Sequence, residues 1–168
     1  MNPLGGTELQ HNFLEKYVSK DLLNNFQICT SVPGKIPLLK DKINILWQKN
    51  SWDQPNLQEF FKNPERHNDY DFYVFNSHWN YEQFRKQFNV PEHKCTVIKN
   101  GIPDIKLRNP EEKKDKIKLI YHPTPWRGLS VLLGAMQLIK NPNITLDVYS
   151  STNIYGSDFQ KSNDDQYK

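Results

Sequence analysis

Residues 117 to 149 read IKLIYHPTPWRGLSVLLGAMQLIKNPNITLDVY, and their order decides the fold class. A short apolar run at 117–121 has strand composition. The proline-bracketed turn after it leads into Leu129, Leu132, Leu133, Met136 and Ile139, which recur at the spacing of one buried helix face. Thr124 is placed to cap that helix and Pro125 to occupy its first position, so Arg127 and Gly128 are expected in its first turn. A second strand is expected at 144–149. Strand, helix and strand joined this closely make a β-α-β unit with parallel pairing. Ligands of such sheets bind at the carboxyl ends of the strands. Unpaired helix-start amides, a favourable dipole and a guanidinium at that end suit a phosphate-bearing ligand.

Upstream, the same alternation recurs. GGTE at 5–8 opens a helix, with Thr7 as cap and Gln10 three positions on as a capping box, and Leu9, Phe13, Leu14 and Tyr17 give it an apolar face. Strands are expected at 26–31 (FQICTS), 43–47 (INILW), 70–76 (YDFYVFN) and 94–99 (KCTVIK). Between them lie a loop at 32–41, a short helix at 56–65, and a helix at 78–88 capped by Ser77 with Trp79, Tyr81, Phe84 and Phe88 inward. This order predicts an α/β fold: a doubly wound Rossmann-like domain over 1–104, a charged linker at 105–116, the start of a second Rossmann-like unit at 117–150, and a polar tail at 151–168. Only four residues precede Gly5, and the second unit stops after one β-α-β passage. The expectation is therefore the middle of a longer two-domain protein, lacking its first strand.

Composition narrows the class without naming a function. Among 168 residues, hydrophobic content is 36% and aromatic content 12%; the rings offset a low mean hydropathy because each buries a large area. Lys plus Arg is 22 against 19 for Asp plus Glu, a net charge of +3 with no clustered basic stripe, which argues against a nucleic-acid partner. The aromatics fall at core spacing, which argues against a single-strand stacking platform. Cys29 and Cys95 are expected as free thiols in a reducing compartment, and no leader or long apolar run is present, so a cytoplasmic location is expected. No residue spacing matches a metal site.

Four motifs then fall in a familiar order: GGTE at the first helix, FNSHW after a strand, VIKNGI closing the first domain, and PTPWRGLSVLLGA opening the second. Together, over about residues 5–149, the chain resembles the GT-B fold glycosyltransferases, in particular the retaining, nucleotide-sugar-dependent enzymes of family 4. The resemblance implies transfer of a sugar from a nucleotide-sugar donor to a glycan or lipid-linked acceptor, in a cleft between an acceptor-side and a donor-side domain. The nucleotide sugar is substrate, and no cofactor is implied. A peripheral membrane contact is compatible with a lipid-linked acceptor.

Residue by residue, the resemblance assigns Gly5, Gly6, Arg127 and Gly128 to the donor phosphates. Glycines let backbone approach an anion closely, and a guanidinium pairs with phosphate oxygens through two parallel bonds. Thr7, Lys49, Asp53, Ser77, His78 and His122 are the candidates facing the cleft. Asn100 and Gly101 match the interdomain turn, where glycine is expected at positive φ as a hinge. Gln48, Lys49 and Asp53 stand where many relatives carry a histidine or acid, so no catalytic residue is assigned. The family's pair of glutamates on a late second-domain segment has no counterpart before Lys168. The expectation for these residues alone is weak or absent transfer, the alternative being a non-catalytic glycan- or anion-binding remnant.

Overall fold

The computed structural model describes residues 5–106, 116–151, 158 and 161–162. Most of the expected linker and polar tail lies outside them. By internal contacts the chain forms two compact units, one spanning Gly6–Pro103 and the other comprising the described residues outside it.

The first unit begins with α1 (Gly6–Tyr17) and a short α2 (Lys20–Leu23), which the sequence reading did not anticipate. Four parallel strands follow: β1 (Phe26–Thr30), β2 (Ile43–Gln48), β3 (Phe72–Phe75) and β4 (Cys95–Val97), in the spatial order β1-β2-β3-β4. A loop joins β1 to β2; α3 (Pro55–Phe61) and a 3-10 turn (Pro64–Asn68) join β2 to β3; α4 (His78–Phe88) joins β3 to β4. Parallel register runs Cys29 to Leu46 and Leu46 to Tyr73. A parallel sheet needs cover on both faces, and alternate residues supply two sets of contacts. Cys29, Leu46, Tyr73 and Phe75 pack with Leu57, Phe60, Phe61, Phe84 and Phe88 of α3 and α4. On the other face Ile28, Ile45, Trp47 and Val74 look toward Leu14, Val18, Leu22 and Leu23 around α1 and α2, across an apolar groove of about 220 Å³.

The first core is aromatic, which is how a chain of low hydropathy builds one. Phe61 sits among Phe84 at 4.7 Å, Phe60 at 5.0 Å and Phe88 at 5.5 Å between ring centroids. Two polar side chains that enter this core find partners there. Buried His67 Nε2 lies 3.0 Å from the Phe61 carbonyl, and Lys94 Nζ donates to the carbonyls of His67 and Tyr70 at 3.3 and 3.0 Å. Burial pushes the Tyr70 phenol up to about 12 and the Cys95 thiol up to about 11, and it raises Cys29 as well. Both cysteines are free, and they remain thiols at neutral pH.

The second unit contains β5 (Ile117–Tyr121), α5 (Leu129–Leu138) and β6 (Ile144–Val148), with β5 and β6 parallel and in register from Ile117 opposite Ile144. The β-α-β reading of 117–149 holds. Three details differ. The helix starts four residues later than expected, with Gly128 as N-cap at φ 93, so Arg127 and Gly128 precede it and Thr124 does not cap it. The reason is backbone geometry: residues 125–128 close a turn, with the Arg127 amide on the Thr124 carbonyl at 3.0 Å, and only glycine enters the left-handed region cheaply at its end. Nor is the α5 apolar stripe fully buried, since Leu133 is 44% and Ile139 41% exposed. In the first unit, Trp79 is likewise 61% exposed instead of packed beside Phe84.

Candidate functional site

The carboxyl ends of the four strands gather a row of polar side chains. Each arises from a local event that ends its strand. β1 stops where Ser31 adopts φ 65, its amide donating across to the Trp47 carbonyl at 3.0 Å. β2 ends at Gln48, fully buried, whose Oε1 accepts from the Asn50 amide at 2.9 Å and so closes the turn after the strand. β3 ends before Asn76 and Ser77. Ser77 Oγ caps α4 by accepting the Asn80 amide at 3.1 Å, and the Asn80 side-chain amide donates to Asn76 Oδ1 at 3.3 Å.

These turns leave buried atoms without partners. Ser31 Oγ, Gln48 Nε2, Lys49 Nζ and Asn80 Oδ1 are all out of contact with solvent and make no hydrogen bond within the protein. Gln48 and Asn80 are 0% and 4% exposed as residues. An unsatisfied buried polar group costs about 1 to 3 kcal/mol, so four on one edge of a sheet need an explanation. Trp47 Nε1 and, toward the opposite edge, Asn44 Oδ1 are buried without partners as well, so the feature extends beyond this edge; the carboxyl edge is nevertheless where α/β proteins hold their ligands.

Lys49 has the strongest requirement. Its Nζ sits 3.4 Å from the centroid of the Trp47 ring. Such a contact contributes up to about 2 kcal/mol, less than the several kcal/mol that burying an ammonium costs. Burial accordingly lowers the Lys49 amine to about 8.

The first helix is tied to the same edge by an unexpected pairing. Gln10 Nε2 donates to the Gly101 carbonyl at 2.7 Å, and the Gly101 amide donates to Gln10 Oε1 at 2.9 Å, across 91 residues of sequence. Gly101 lies just past the carboxyl end of β4, so this double bond holds the amino-terminal turn of α1, with Gly6 and Thr7, beside the strand ends. It also corrects two expectations. Gln10 does not close a capping box: helix α1 already begins at Gly6, and the Gln10 amide is committed to Gly101. Gly101 is not at the positive φ expected of it; among the described residues that region holds Ser31, Asn89, Gly34 and Gly128.

The remaining candidates divide. Ser77 is the α4 cap, while His78 and Asp53 are exposed near the strand ends. At Gly6 a Cβ would meet nothing within 4 Å, and its φ is ordinary, so the fold itself gives no reason for glycine there. Gly5 is half-buried.

In the second unit the turn after β5 is braced by Tyr121 Oη donating to the Thr124 carbonyl at 2.8 Å and Ser150 Oγ donating to the Pro123 carbonyl at 2.6 Å. His122 and Arg127 are exposed on it. Thr124 is 6% exposed, and its Oγ1 has no hydrogen-bond partner. No side chain caps α5, and the Leu129 amide at its start is held by the Pro125 carbonyl at 3.2 Å.

Sequence reasoning missed Ser31 and Asn80, and placed Gln48 only beside Lys49 and Asp53 after the second strand. It also missed His11, whose Nδ1 is buried without a partner while Nε2 faces Glu15 at 3.4 Å. The Asn80 position was readable, because a cap at Ser77 fixes where the third helical residue points. Among the described residues no group of three or more His, Cys, Asp or Glu is placed to hold a metal ion, and no helix is long and apolar enough to cross a membrane.

The architecture defines a Rossmann-like parallel α/β class. No protein-family model matches the chain, and no curated protein matches it.

Proposed function

We propose that this chain is a glycosyltransferase-like protein of the GT-B type, cytoplasmic, that receives an acceptor sugar at the carboxyl edge of its four-strand sheet and donor phosphates at the Arg127 turn. The observation that carries the reading is the row Ser31, Gln48, Lys49 and Asn80, four buried polar side chains with unmet hydrogen bonds at the edge where such folds bind ligands. Amides, a hydroxyl and an amine match the hydroxyl-rich surface of a sugar. Two further facts support it. Gly6 is a glycine without a structural need for one, as expected of a backbone that must admit a close ligand. The turn at 124–128 combines the exposed Arg127 with uncapped helix amides and the unpartnered Thr124 hydroxyl.

One observation favours a second reading, a glycan- or anion-binding module without catalysis. None of the four groups on the strand ends is a carboxylate or an imidazole, and Lys49, lowered to about 8, is the one group among them able to exchange a proton near neutral pH, so the row is equipped first of all to bind. Calorimetric titration with nucleoside diphosphates and their sugar conjugates, followed by a product assay with the one that binds, separates the two. Binding with transfer supports the enzyme, and sugar binding without nucleotide binding supports the module. No binding of either class would contradict both.

A further inference from the structure

We infer that the ligand held at the carboxyl edge of the first unit carries a carboxylate, as in a uronic acid, and that Lys49 is the group that recognises it. This rests on the sugar-binding reading above and names the class of sugar.

The inference starts from an anomaly. A lysine beside a strand end ordinarily extends its stem along the surface and keeps its ammonium in water. Lys49 does the opposite: its Nζ is out of contact with solvent, folded over the Trp47 ring at 3.4 Å, and has no hydrogen-bond partner. The ion pairs of the first unit lie elsewhere: His11 with Glu15, Arg66 with Asp69 and Arg85 with Glu92. A desolvated cation resting on a ring quadrupole still lacks a counter-charge and three acceptors. Its depressed affinity for a proton expresses the same deficit. An anion arriving from solvent supplies both.

The neighbouring groups select the type of anion. The other unpartnered groups at the strand ends, Ser31 Oγ, Gln48 Nε2 and Asn80 Oδ1, are all neutral. One compact cation balances one negative charge, so a carboxylate leaves the buried pair neutral. A phosphate dianion would leave a net negative charge in the same desolvated place. The hydroxyl and amide groups that do not meet the carboxylate remain for the hydroxyls of the ring that bears it.

The test is calorimetric titration of the full chain with glucuronate, glucose and glucose 6-phosphate, repeated on Lys49→Met. Methionine keeps the length and apolar contact of the lysine stem, and a thermal melt confirms that the variant is folded. The expected result is that glucuronate binds at least about tenfold more tightly than glucose, and that this preference disappears in Lys49→Met. Equal binding of glucuronate and glucose by the unaltered chain overturns the inference and leaves the sugar-binding reading intact. So does a preference that survives in Lys49→Met. Tighter binding of glucose 6-phosphate than of glucuronate overturns the assignment of a carboxylate. Failure of all three sugars to bind contradicts the sugar-binding reading and this inference with it.

Discussion

At the scale of single residues, the molecule is most unusual where charge and burial conflict. Lys49 keeps a proton in the unfolded chain up to about 10.4 and in the folded protein only up to about 8. Between those values the unfolded state binds more protons, so this residue makes stability rise with pH from about 8 to about 10.4, and its penalty is complete below about 8. Cys29 and Cys95 act in the opposite sense: held as thiols by burial, they lose stability once the unfolded chain ionises. The difference between the chain and Lys49→Met isolates the lysine. Urea unfolding should find the variant about 1 kcal/mol more stable at pH 7, the low end for replacing a buried charge because Lys49 is only half-buried, with the gap closing toward pH 10. A variant less stable at pH 7 would mean that the ammonium is better solvated than its surroundings suggest. Arg127 makes a simpler prediction. If its guanidinium holds a diphosphate, Arg127→Ala weakens nucleoside diphosphate binding by about ten- to a hundredfold, corresponding to a lost charged hydrogen bond of about 1.5 to 3 kcal/mol. Unchanged affinity would return it to the exposed surface.

At the scale of elements, what could be read in the sequence was what local chemistry controls. The β-branched and aromatic runs INILW and FYVF became β2 and β3, and Ser77 capped α4 as its position required. Failures came where distant partners outbid local preference. Gln10 had the spacing of a capping box, but its amide found Gly101 some 91 positions away, a pairing with no local signal. Thr124 had the identity and position of a cap, yet its side chain was drawn inward as the turn closed on its carbonyl. Trp79 followed the helical period of α4 but fell at the margin of the face, where the sheet no longer covers it. Helix α1 contains no buried residue, so the Gln10 pair is a main attachment. Gln10→Ala should cost about 1 kcal/mol and speed amide exchange in α1 more than in α4; equal protection would show that Leu14 and Val18 suffice. Phe61→Ala, which removes the ring at the centre of the aromatic cluster, should cost about 3 to 5 kcal/mol in urea unfolding.

At the scale of the whole molecule, the fold class was legible because strand and helix signals alternate along the entire chain, whereas the site was legible only in outline. Sequence located the carboxyl ends of the strands and named Lys49, Ser77 and Arg127. It could not see that Gln48, Asn80 and Ser31 are buried with bonds unmet, since that depends on which neighbours the fold brings near. The two units also differ in how much they bury: the first has an aromatic core under its four strands, while in the second Tyr121 is the one buried residue of β5 and α5 has none. Amide exchange in β5 and β6 should therefore be faster than in β2 and β3, and equal protection would contradict that contrast. The central claim, that this is a sugar- and nucleotide-binding protein working at the carboxyl edge of its sheet, is tested most directly by mapping amide chemical shifts of the labelled chain during titration with nucleotide sugars and uronic acids. The account predicts perturbations concentrated at Thr7, Ser31, Lys49, Asn50 and Asn80 with the sugar and at Arg127 to Leu129 with the nucleotide. Perturbations confined to the opposite edge of the sheet, around Asn25, Asp71 and Lys94, or none with either ligand, would contradict it.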